Sequence, residues 1–457
     1  MEPAARPGQG GSRVTPQDVR RLIEERGIRT VRVVFNDNTN VARARNIPAE
    51  AFLEDVIEHG VQYPSAMLSV DTSANFVLEA GGGWAGGYGS WLLRPDLETF
   101  TILPWAPGTA RVIADLYDLD GNPVEIAPRR ILSRVVEELR REGFTARAAC
   151  EFEFYVFRRL APDGYEPSWT GLNCYAEVKQ AQVDDILNAI SVGLNAIGLG
   201  IEAANTEYGP GQFEISMKHQ PAVRAADHAM YYKTSVKELM QQKGYLATFM
   251  TKPLTGRSGS GSHLHHSLYR LDGTNAFYDP DAPDGLSDIA RHFIAGELAH
   301  ARAICALANP TINSYKRLRP YTFAPANVSW GYENRMCMIR VPKARGQGTH
   351  LENRLPGADN NAYHLLAAVL AAGLDGIRRK LEPPAPVVDR DAYADASLPP
   401  LPQSLEEALD ALNRDEVLVE MLGADFVRSY TALKNSELRR FRDHVTDWEV
   451  NEYAELF

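Results

Sequence analysis

The region between residues 128 and 380 constrains the fold most, because helical and strand-like patterns alternate along it. Pro128 opens a helical pattern in which Ile131, Val135 and Leu139 recur every four residues, and Gly143 ends it. Further helical patterns lie near 182–197, 224–243, 288–308 and 359–380, with short strand-like runs at 150–157, 211–217, 262–269, 335–341 and 350–355. This order predicts an α+β fold with a largely antiparallel sheet flanked by helices.

The N-terminal part of the sequence predicts a smaller, β-rich domain. Thr15 and Pro16 have the residue types of a helix start, and the runs 31–35 and 41–45 predict two strands joined by a polar turn. We place this domain at 14–110 and a larger domain at 111–457. Residues 1–13 contain no apolar stretch and predict a disordered leader rather than a secretory signal. A glycine-rich loop is predicted at 81–87 and a proline-rich surface excursion at 382–402.

Composition excludes several classes of protein. The chain has 48 Lys and Arg against 59 Asp and Glu, a net charge of −11, which argues against a nucleic-acid partner. The longest apolar run, 365–374, is about half of the ~20 residues that a membrane-spanning helix needs. The four cysteines form no CxxC pair, so neither a disulfide framework nor a thiolate zinc site is indicated. A cytoplasmic location is expected.

Two pairs of carboxylates are candidates for a chemical role. Glu151 and Glu153 share one face of a predicted strand, although such a pair is by itself more often a solvated strand face. A Gly-Pro-Gly turn at 209–211 brings Glu207 and Glu214 near one another. The two carboxylates of each pair repel one another, and a bound cation would relieve that repulsion. The two pairs therefore favour a cation-binding site.

Histidines and arginines accompany these carboxylates. His263, His265 and Ser267 share one strand face, and Glu352 and Arg354 share another; the preceding arginines are Arg317, Arg335 and Arg340. Each residue alone is more often a satisfied core residue or a surface ion pair. Together they suit a hard divalent cation that holds a triphosphate while arginines neutralise developing charge, so phosphoryl transfer is indicated. No GxxxxGK[ST] motif is present, which argues against a P-loop enzyme.

Six motifs together resemble the glutamine synthetase family, in family order over residues 15–457. They are Glu151-Phe-Glu153, Asn205-Thr-Glu with Gly-Gln-Phe-Glu214, Lys252-Pro with Gly-Ser-Gly-Ser-His263-Leu-His-His-Ser267, Asn309-Pro-Thr-Ile-Asn-Ser-Tyr-Lys-Arg-Leu318, Asn334-Arg335 with Ile-Arg340, and Leu351-Glu-Asn-Arg354. The resemblance implies a β-grasp-like N-terminal domain and a catalytic domain of that family. It also implies ATP-dependent ligation of an amine to glutamate through an acyl phosphate.

The resemblance also implies roles for individual residues. Two or more Mg²⁺ or Mn²⁺ ions per site are expected, one held by Glu153, Glu207 and Glu214 and another by Glu151, His263 and Glu352. Gly259, His263, Arg317 and Arg354 correspond to substrate-binding positions, and Arg317, Arg335 and Arg340 to catalytic ones. Of these, Arg335 and Arg340 correspond to the positions that stabilise the phosphate. His265, Ser267 and Arg340 correspond to nucleotide contacts. The implied assembly is a dodecamer of two hexameric rings, in which the N-terminal domain of one subunit closes the site of its neighbour.

This sequence departs from the family at two positions that contact ammonium in ammonia-using members. Ammonia-using members have a glutamate where this chain has Phe323, and an N-terminal aspartate where it has the stretch Gly60–Met67. A pocket lined by Tyr63, Met67, Phe323 and Trp330 would favour an amine with carbon atoms over ammonium. We therefore expect a γ-glutamylamide synthetase for a short monoamine such as ethanolamine, methylamine or isopropylamine.

Several alternatives stay open from the sequence. The chain would be a true glutamine synthetase if another acid, for example Asp71, replaced the missing contacts, or a γ-glutamylpolyamine synthetase if it accepted larger amines. Ser258, in place of the usual asparagine, leaves open an acceptor acid other than glutamate. A non-catalytic nucleotide-binding relative is disfavoured because all six metal positions are filled. Tyr393, near the position of a regulatory tyrosine in some members, is expected to be an exposed loop residue.

Overall fold

The computed structural model describes residues 13–81, 87–160, 164–172 and 174–457, and its N-terminal part is a six-stranded sheet. The strand order is β2-β1-β6-β4-β3, with β5 beside β6; β1 runs parallel to β6, and the other pairs are antiparallel. The strands are β1 (Thr30–Asn36), β2 (Ala42–Pro48), β3 (Val61–Pro64), β4 (Ser90–Pro95), β5 (Thr101–Ile102) and β6 (Thr109–Tyr117).

Helix α1 (Pro16–Glu25) packs beside this sheet and begins as its sequence predicts. The Thr15 side chain accepts a hydrogen bond from the Asp18 N–H, and the Asp18 carboxylate accepts one from the Thr15 N–H. Val19, Leu22 and Ile23 are buried in the cluster that the sheet covers. Residues 49–59 form a second helical segment, made of α2 (Ala49–Ala51), a π-helical turn and α3 (Ile57–His59).

The predicted end of the N-terminal domain at residue 110 lies inside a strand. β6 pairs with β1 over residues 109–113 and with β4 over 114–117, so the N-terminal sheet continues to Tyr117. We propose that the division lies between this strand and Pro128. The predicted leader, except for Arg13, and residues 82–86 of the predicted glycine-rich loop lie outside the described residues.

A ten-stranded, largely antiparallel sheet forms the centre of the rest of the chain, as the sequence predicts. The strand order is β14-β15-β16-β13-β7-β10-β9, and β8, β11 and β12 also pair with β7. Among the described strand pairs of this sheet, only β14 and β15 run parallel. The strands are β7 (Phe144–Leu160), β8 (Gly164–Pro167), β9 (Ile201–Thr206), β10 (Gln212–Met217), β11 (Gln220–Pro221), β12 (Tyr245–Thr248), β13 (Ser262–Arg270), β14 (Trp330–Tyr332), β15 (Ile339–Val341) and β16 (Leu351–Asn353).

Helices flank this sheet, and each of the five predicted helical segments is helical, although the predicted helix 288–308 is interrupted at His300. The helices are α4 (Pro128–Arg141), α5 (Glu177–Ala181), α6 (Asp184–Ala196), α7 (Ala222–Gln242), α8 (Asp288–Ala299), α9 (Ala301–Ala308), α10 (Ala362–Arg379), α11 (Leu405–Arg414), α12 (Glu416–Leu422), α13 (Ala424–Arg442) and α14 (Asp447–Tyr453). The helices at 177–181 and beyond residue 404 lie outside the predicted segments. The proline-rich segment 382–402 contains neither a helix nor a strand.

The apolar run 365–374 lies within α10, the central helix of the core. Every residue from Ala362 to Gly376 is buried. A Cβ atom on Gly296 of α8 would lie 2.1 Å from the Ala372 carbonyl oxygen, so α8 and α10 approach too closely there for any other residue. Among the described helices, none combines the length and apolar character needed to cross a bilayer.

One partly buried arginine joins the N-terminal sheet to the helices of the second part. The Arg129 guanidinium, at the start of α4, lies 2.6 Å from Asp96 and 2.8 Å from Asp115, both in the N-terminal part. Its Nε lies 2.9 Å from Asp227 of α7, which also accepts a hydrogen bond from the Tyr363 hydroxyl (2.8 Å). The N-terminal sheet is therefore bound to the helices of the second part through a shared charge network.

Candidate active site

Neighbouring strands of the large sheet place the predicted acidic and histidine residues side by side. Glu151 of β7 lies opposite His263 of β13. Glu153 of the same strand lies opposite Glu214 of β10. Because side chains alternate along a strand, Glu151 and Glu153 share the face on which these partners lie. The pairing register of β7, β10 and β13 therefore brings these acidic and histidine side chains together on one face of the sheet.

Glu151, His263 and Glu352 form a compact cluster. His263 Nδ1 is 3.1 Å from Glu151 Oε1 and 3.6 Å from Glu352 Oε1. Each of the three residues has one ligand atom within 4.8 Å of a ligand atom of the other two. Among the described residues, this is the one group of three His, Cys, Asp or Glu side chains that lie so close together. Two carboxylates and an imidazole are a donor set that Mg²⁺ or Mn²⁺ accepts.

The charges in this cluster are those that metal ligands require. Burial alone would raise the pKa of Glu352, but His263 and Arg354 lower it to about 2. Burial opposes ionisation of Glu151 as well, yet hydrogen bonds with His263 and His265 hold its pKa below the ordinary value. Burial and the nearby Arg354 lower the pKa of His263 to about 4. At neutral pH the cluster thus has two carboxylates and a neutral imidazole.

The second predicted set, Glu153, Glu207 and Glu214, is more open. Its ligand atoms do not all lie within 4.8 Å of one another, unlike those of the first set in the described part of the chain. Burial and Glu207 raise the pKa of Glu153 to about 7, and burial with Glu151 and Glu153 raises the pKa of Glu214 to about 8. Carboxylates that repel each other in this way would be relieved by a bound cation.

Three of the four predicted arginines are inside the site, not on the surface. Arg340 and Arg354 flank Glu352, with Arg340 Nη1 2.6 Å from one carboxylate oxygen and Arg354 Nη1 bonded to the other. Arg317 is buried, donates to the Arg354 carbonyl (3.1 Å), and has its pKa lowered to about 10 by burial, with Glu153 opposing the shift. The Arg335 side chain is exposed, while its carbonyl accepts a hydrogen bond from Arg354 Nε (3.2 Å).

Glycines line the approach to Arg317 because no side chain fits there. A Cβ atom on Gly259 would lie 2.9 Å from Arg317 Cγ. One on Gly261 would lie 2.7 Å from the Arg317 guanidinium and 3.0 Å from His263 Nε2. The Gly261 N–H donates to Glu153 Oε2 (2.8 Å), so the bare backbone itself holds an acidic residue in place.

A cavity of about 320 Å³ lies beside the compact cluster. Of the predicted nucleotide contacts, His265 and Ser267 line it together with Glu151. Ser267 is buried and its hydroxyl donates to the Thr349 carbonyl (2.8 Å). Arg340 is not among the lining residues and lies instead beside Glu352.

The residues predicted for the amine pocket separate in the structure. Phe323 lies on a loop that we call the flap (residues 319–325); its side chain is 68% exposed, and its carbonyl accepts a hydrogen bond from Arg354 Nη2 (3.4 Å). Tyr63 packs in the N-terminal sheet, so its predicted role depends on a neighbouring subunit and stays a prediction. Trp330 is buried in the core, and its place in the lining of the amine pocket stays a prediction.

Asp71, the alternative acidic contact, is occupied within its own chain. It is buried and accepts hydrogen bonds from the Ser73 and Asn75 N–H groups and the Ser436 hydroxyl. Arg440 Nε lies 3.1 Å from its carboxylate. Hydrogen bonds and this cation lower the pKa of Asp71 although burial opposes them.

Three residues near the site were not predicted. The Tyr175 hydroxyl donates to Glu214 (3.2 Å), and the Cys174 thiol contacts Glu207 (3.5 Å). Tyr393, expected to be exposed, is half-buried and donates to a main-chain carbonyl of the flap (3.0 Å). None of them lies in a motif, so spacing alone gives no signal for them.

Comparison with known proteins identifies the family. Residues 125–453 match the model of the glutamine synthetase catalytic domain. Glutamine synthetase of Thermotoga maritima is 37% identical over 97% of this chain and 100% of its own, and glutamate–isopropylamine ligase of a Pseudomonas species is 36% identical over 96% and 97%. The solved structure of GmaS with ADP superposes with a TM-score of 0.85 at 30% identity, covering 95% of this chain and 99% of that one. The chain therefore belongs to the glutamine synthetase family, whose members are ATP-dependent ligases.

Proposed function

We propose that the protein joins a primary amine to the γ-carboxylate of glutamate at the expense of ATP, and that a short monoamine such as ethanolamine is the preferred amine. The observation that supports this most is Phe323, an exposed phenyl ring at the flap position where ammonia-using members have a glutamate. Its carbonyl contacts Arg354, one of the proposed glutamate-binding residues, so the ring stands at the edge of that site. An apolar group there favours contact with carbon atoms and gives no charge attraction for ammonium.

The reaction has two steps. An oxygen of the glutamate γ-carboxylate attacks the γ-phosphorus of ATP, and ADP leaves. The amine nitrogen then attacks the acyl carbon and loses a proton, and inorganic phosphate leaves. In this proposal Arg317 and Arg354, with the backbone at Gly259, bind glutamate, while Arg335 and Arg340 balance the charge that develops on the transferred phosphoryl group.

The donor set fits divalent cations. Glu151, His263 and Glu352 would hold one Mg²⁺ or Mn²⁺ ion, and Glu153, Glu207 and Glu214 another. When bound, these ions supply positive charge beside the phosphate and carboxylate oxygens. The cavity next to Glu151, with His265 and Ser267 in its wall, is the proposed position of the nucleotide.

Ammonium is the competing substrate, since a glutamine synthetase is among the similar proteins. The structure gives this alternative little support, because Asp71 already has its hydrogen bonds satisfied and a paired arginine. A polyamine is disfavoured for a related reason, since Phe323 offers no charge to a second ammonium group.

The assembly and location belong to the same proposal. We propose a homo-dodecamer of two hexameric rings, in which Tyr63 of one subunit approaches the flap of its neighbour, and a cytoplasmic location. Sedimentation and mass photometry of the purified protein test the assembly.

A panel of amines tests the proposed function. The full-length protein receives glutamate, ATP and either Mg²⁺ or Mn²⁺, and each assay contains ammonium, methylamine, ethanolamine, isopropylamine or putrescine. ADP release and product mass are recorded together. We expect the largest kcat/KM with one of the monoamines and a product of the mass of its γ-glutamylamide. A higher kcat/KM with ammonium than with every primary amine overturns the proposal, and so does the absence of turnover with all five.

A further inference from the structure

The flap has a strained backbone. Tyr321 has a φ of +61° and Phe323 a φ of +58°, the left-handed region that bulky residues rarely adopt. Both side chains are exposed, so packing of the rings into a core does not impose this conformation. Contacts elsewhere must hold the flap in its position.

Those contacts come from the proline-rich segment 382–402. The Tyr393 hydroxyl donates to the Ala324 carbonyl (3.0 Å) and the Tyr321 hydroxyl donates to Asp391 Oδ2 (3.2 Å). The Tyr321 and Tyr393 rings lie 5.1 Å apart, and the other Asp391 oxygen accepts the Tyr393 N–H (2.8 Å). These two residues thus hold the flap from a segment about 70 residues further along the chain.

The opposite side of the flap is held by the proposed glutamate site. Arg354 Nη2 donates to the Phe323 carbonyl, next to the carbonyl that Tyr393 holds. The Tyr393 phenol is also near Arg354 and Arg317. Burial raises the pKa of this phenol, and the charges of the two arginines offset part of the rise. The flap is therefore fixed between the site and the 382–402 segment.

We propose that Tyr393 and Asp391 are positioning residues that hold the flap over the acyl phosphate, where it excludes water and orients the amine. This inference rests on the proposed function. If the flap loosens, water competes with the amine for the acyl carbon, and ATP is consumed without amide formation. Water then supplies the oxygen of the regenerated glutamate, and phosphate leaves as in the amide-forming step.

The test uses Tyr393→Phe, which removes the hydroxyl and keeps the ring. With glutamate and the best amine, we expect the ratio of ADP released to amide formed to rise by about 3- to 10-fold, the effect of losing one hydrogen bond. The KM for the amine rises by a similar factor, while the KM for glutamate stays near that of the native protein. A purely structural role would not change the coupling ratio.

A matched control is Tyr430→Phe. The Tyr430 hydroxyl also donates to a main-chain carbonyl, that of Ala306 (2.8 Å), but within the core and away from the flap. This variant is expected to lose some stability and to keep the native coupling ratio. The inference is overturned if Tyr393→Phe has the native ratio of ADP released to amide formed and the native KM for the amine. It is also overturned if this ratio rises equally in both variants.

Hydrogen exchange separates this inference from the proposed function. The backbone amides of residues 319–325 are followed by mass spectrometry in the absence of substrates, so no amine needs to be turned over. We expect exchange in Tyr393→Phe to be about 3- to 10-fold faster than in the native protein and in Tyr430→Phe. If exchange of these amides is unchanged in Tyr393→Phe, the inference is overturned even when the amine panel succeeds. If exchange is faster, the role of Tyr393 in holding the flap is supported even when the amine panel fails.

Discussion

Glu352 shows how a single residue brings the parts of the site together. Its carboxylate is 1% exposed and lies against His263 on one side and the guanidinium groups of Arg340 and Arg354 on the others. A buried carboxylate in such a position stays ionised because its partners offset the lost hydration. The same charge that would bind a cation therefore also fixes two arginines.

Glu352→Gln tests this position. The amide keeps the size of the side chain but removes its charge, so we expect Mn²⁺ affinity, measured by calorimetric titration, to fall at least about tenfold. Glu166→Gln is the control, because Glu166 forms an exposed ion pair with Arg158 and should bind Mn²⁺ as the native protein does. Native affinity in Glu352→Gln would exclude this residue as a ligand.

Phe323→Glu tests amine selection. A carboxylate at this position adds charge attraction for ammonium, so we expect the ratio of kcat/KM for ammonium to that for the best monoamine to rise by about tenfold or more. Phe323→Gln is polar and of similar size but uncharged, and it should not produce this gain. If both variants change the ratio equally, charge is not the cause.

Chemistry-bearing residues were more predictable than their partners. Alternation along strands predicts which side chains share a face, as for Glu151 and Glu153, and the resemblance to the family implies the roles of these residues and of His263. The prediction that Tyr393 is exposed is wrong because a long-range contact with the flap decides its burial, and local spacing does not encode that contact.

At the level of secondary structure, the break between α8 and α9 depends on His300. The apolar pattern over 288–308 predicts one helix, since it contains neither a proline nor a helix-ending glycine near residue 300. In the structure, His300 Nδ1 lies 2.6 Å from Asp415 and Nε2 3.0 Å from Asp375. These contacts with α10 and the start of α12 accompany the interruption of the helix, and nothing near residue 300 in the sequence indicates them.

His300 should make stability depend on pH. Burial lowers its pKa, but hydrogen bonds with Asp415 and Asp375 outweigh burial and raise the net value. The stabilisation is therefore fully present below the ordinary histidine pKa of about 6.5 and is lost as pH rises through the higher folded-state pKa. We expect the difference in Tm between the native protein and His300→Gln to shrink as pH rises above about 6.5 and through the raised folded-state pKa of His300.

The control for this measurement is His444→Gln, because His444 is exposed at the end of α13. Its Tm should follow the native value at every pH. A difference for His300→Gln that is constant with pH would show that the histidine charge does not contribute.

At the scale of the whole molecule, the division between the two parts is the feature that sequence patterns locate least well. The predicted boundary at residue 110 falls within the strand that ends at Tyr117, and this strand pairs with β1. Parallel pairing of distant segments is a non-local contact, which periodicity does not record. The order of helices and strands was predictable, because each follows from its own residues.

Arg129→Met tests the connection between the two parts. Removing the guanidinium leaves the carboxylates of Asp96, Asp115 and Asp227 close together without a cation. We expect the free energy of unfolding to fall by about 2–3 kcal/mol, less than for a fully buried pair because Asp96 and Asp115 are partly exposed. We expect the N-terminal sheet to unfold at a lower temperature than the rest, as a separate transition in differential scanning calorimetry. Arg130→Met, which removes half-exposed ion pairs with Glu125 and Glu137, should change stability by less than about 1 kcal/mol. A single native-like transition in Arg129→Met would contradict this view.

The way the flap is held also bears on how this protein could evolve. Arg354 and Tyr393 bond to the main-chain carbonyls of Phe323 and Ala324, not to their side chains. A mutation at residue 323 can therefore change the chemical character of the ring without removing the bonds that locate it. Under the proposed function, selectivity for a new nitrogen donor is therefore a separable trait, and directed evolution at this position would explore donors while the residues proposed for phosphoryl transfer stay unchanged.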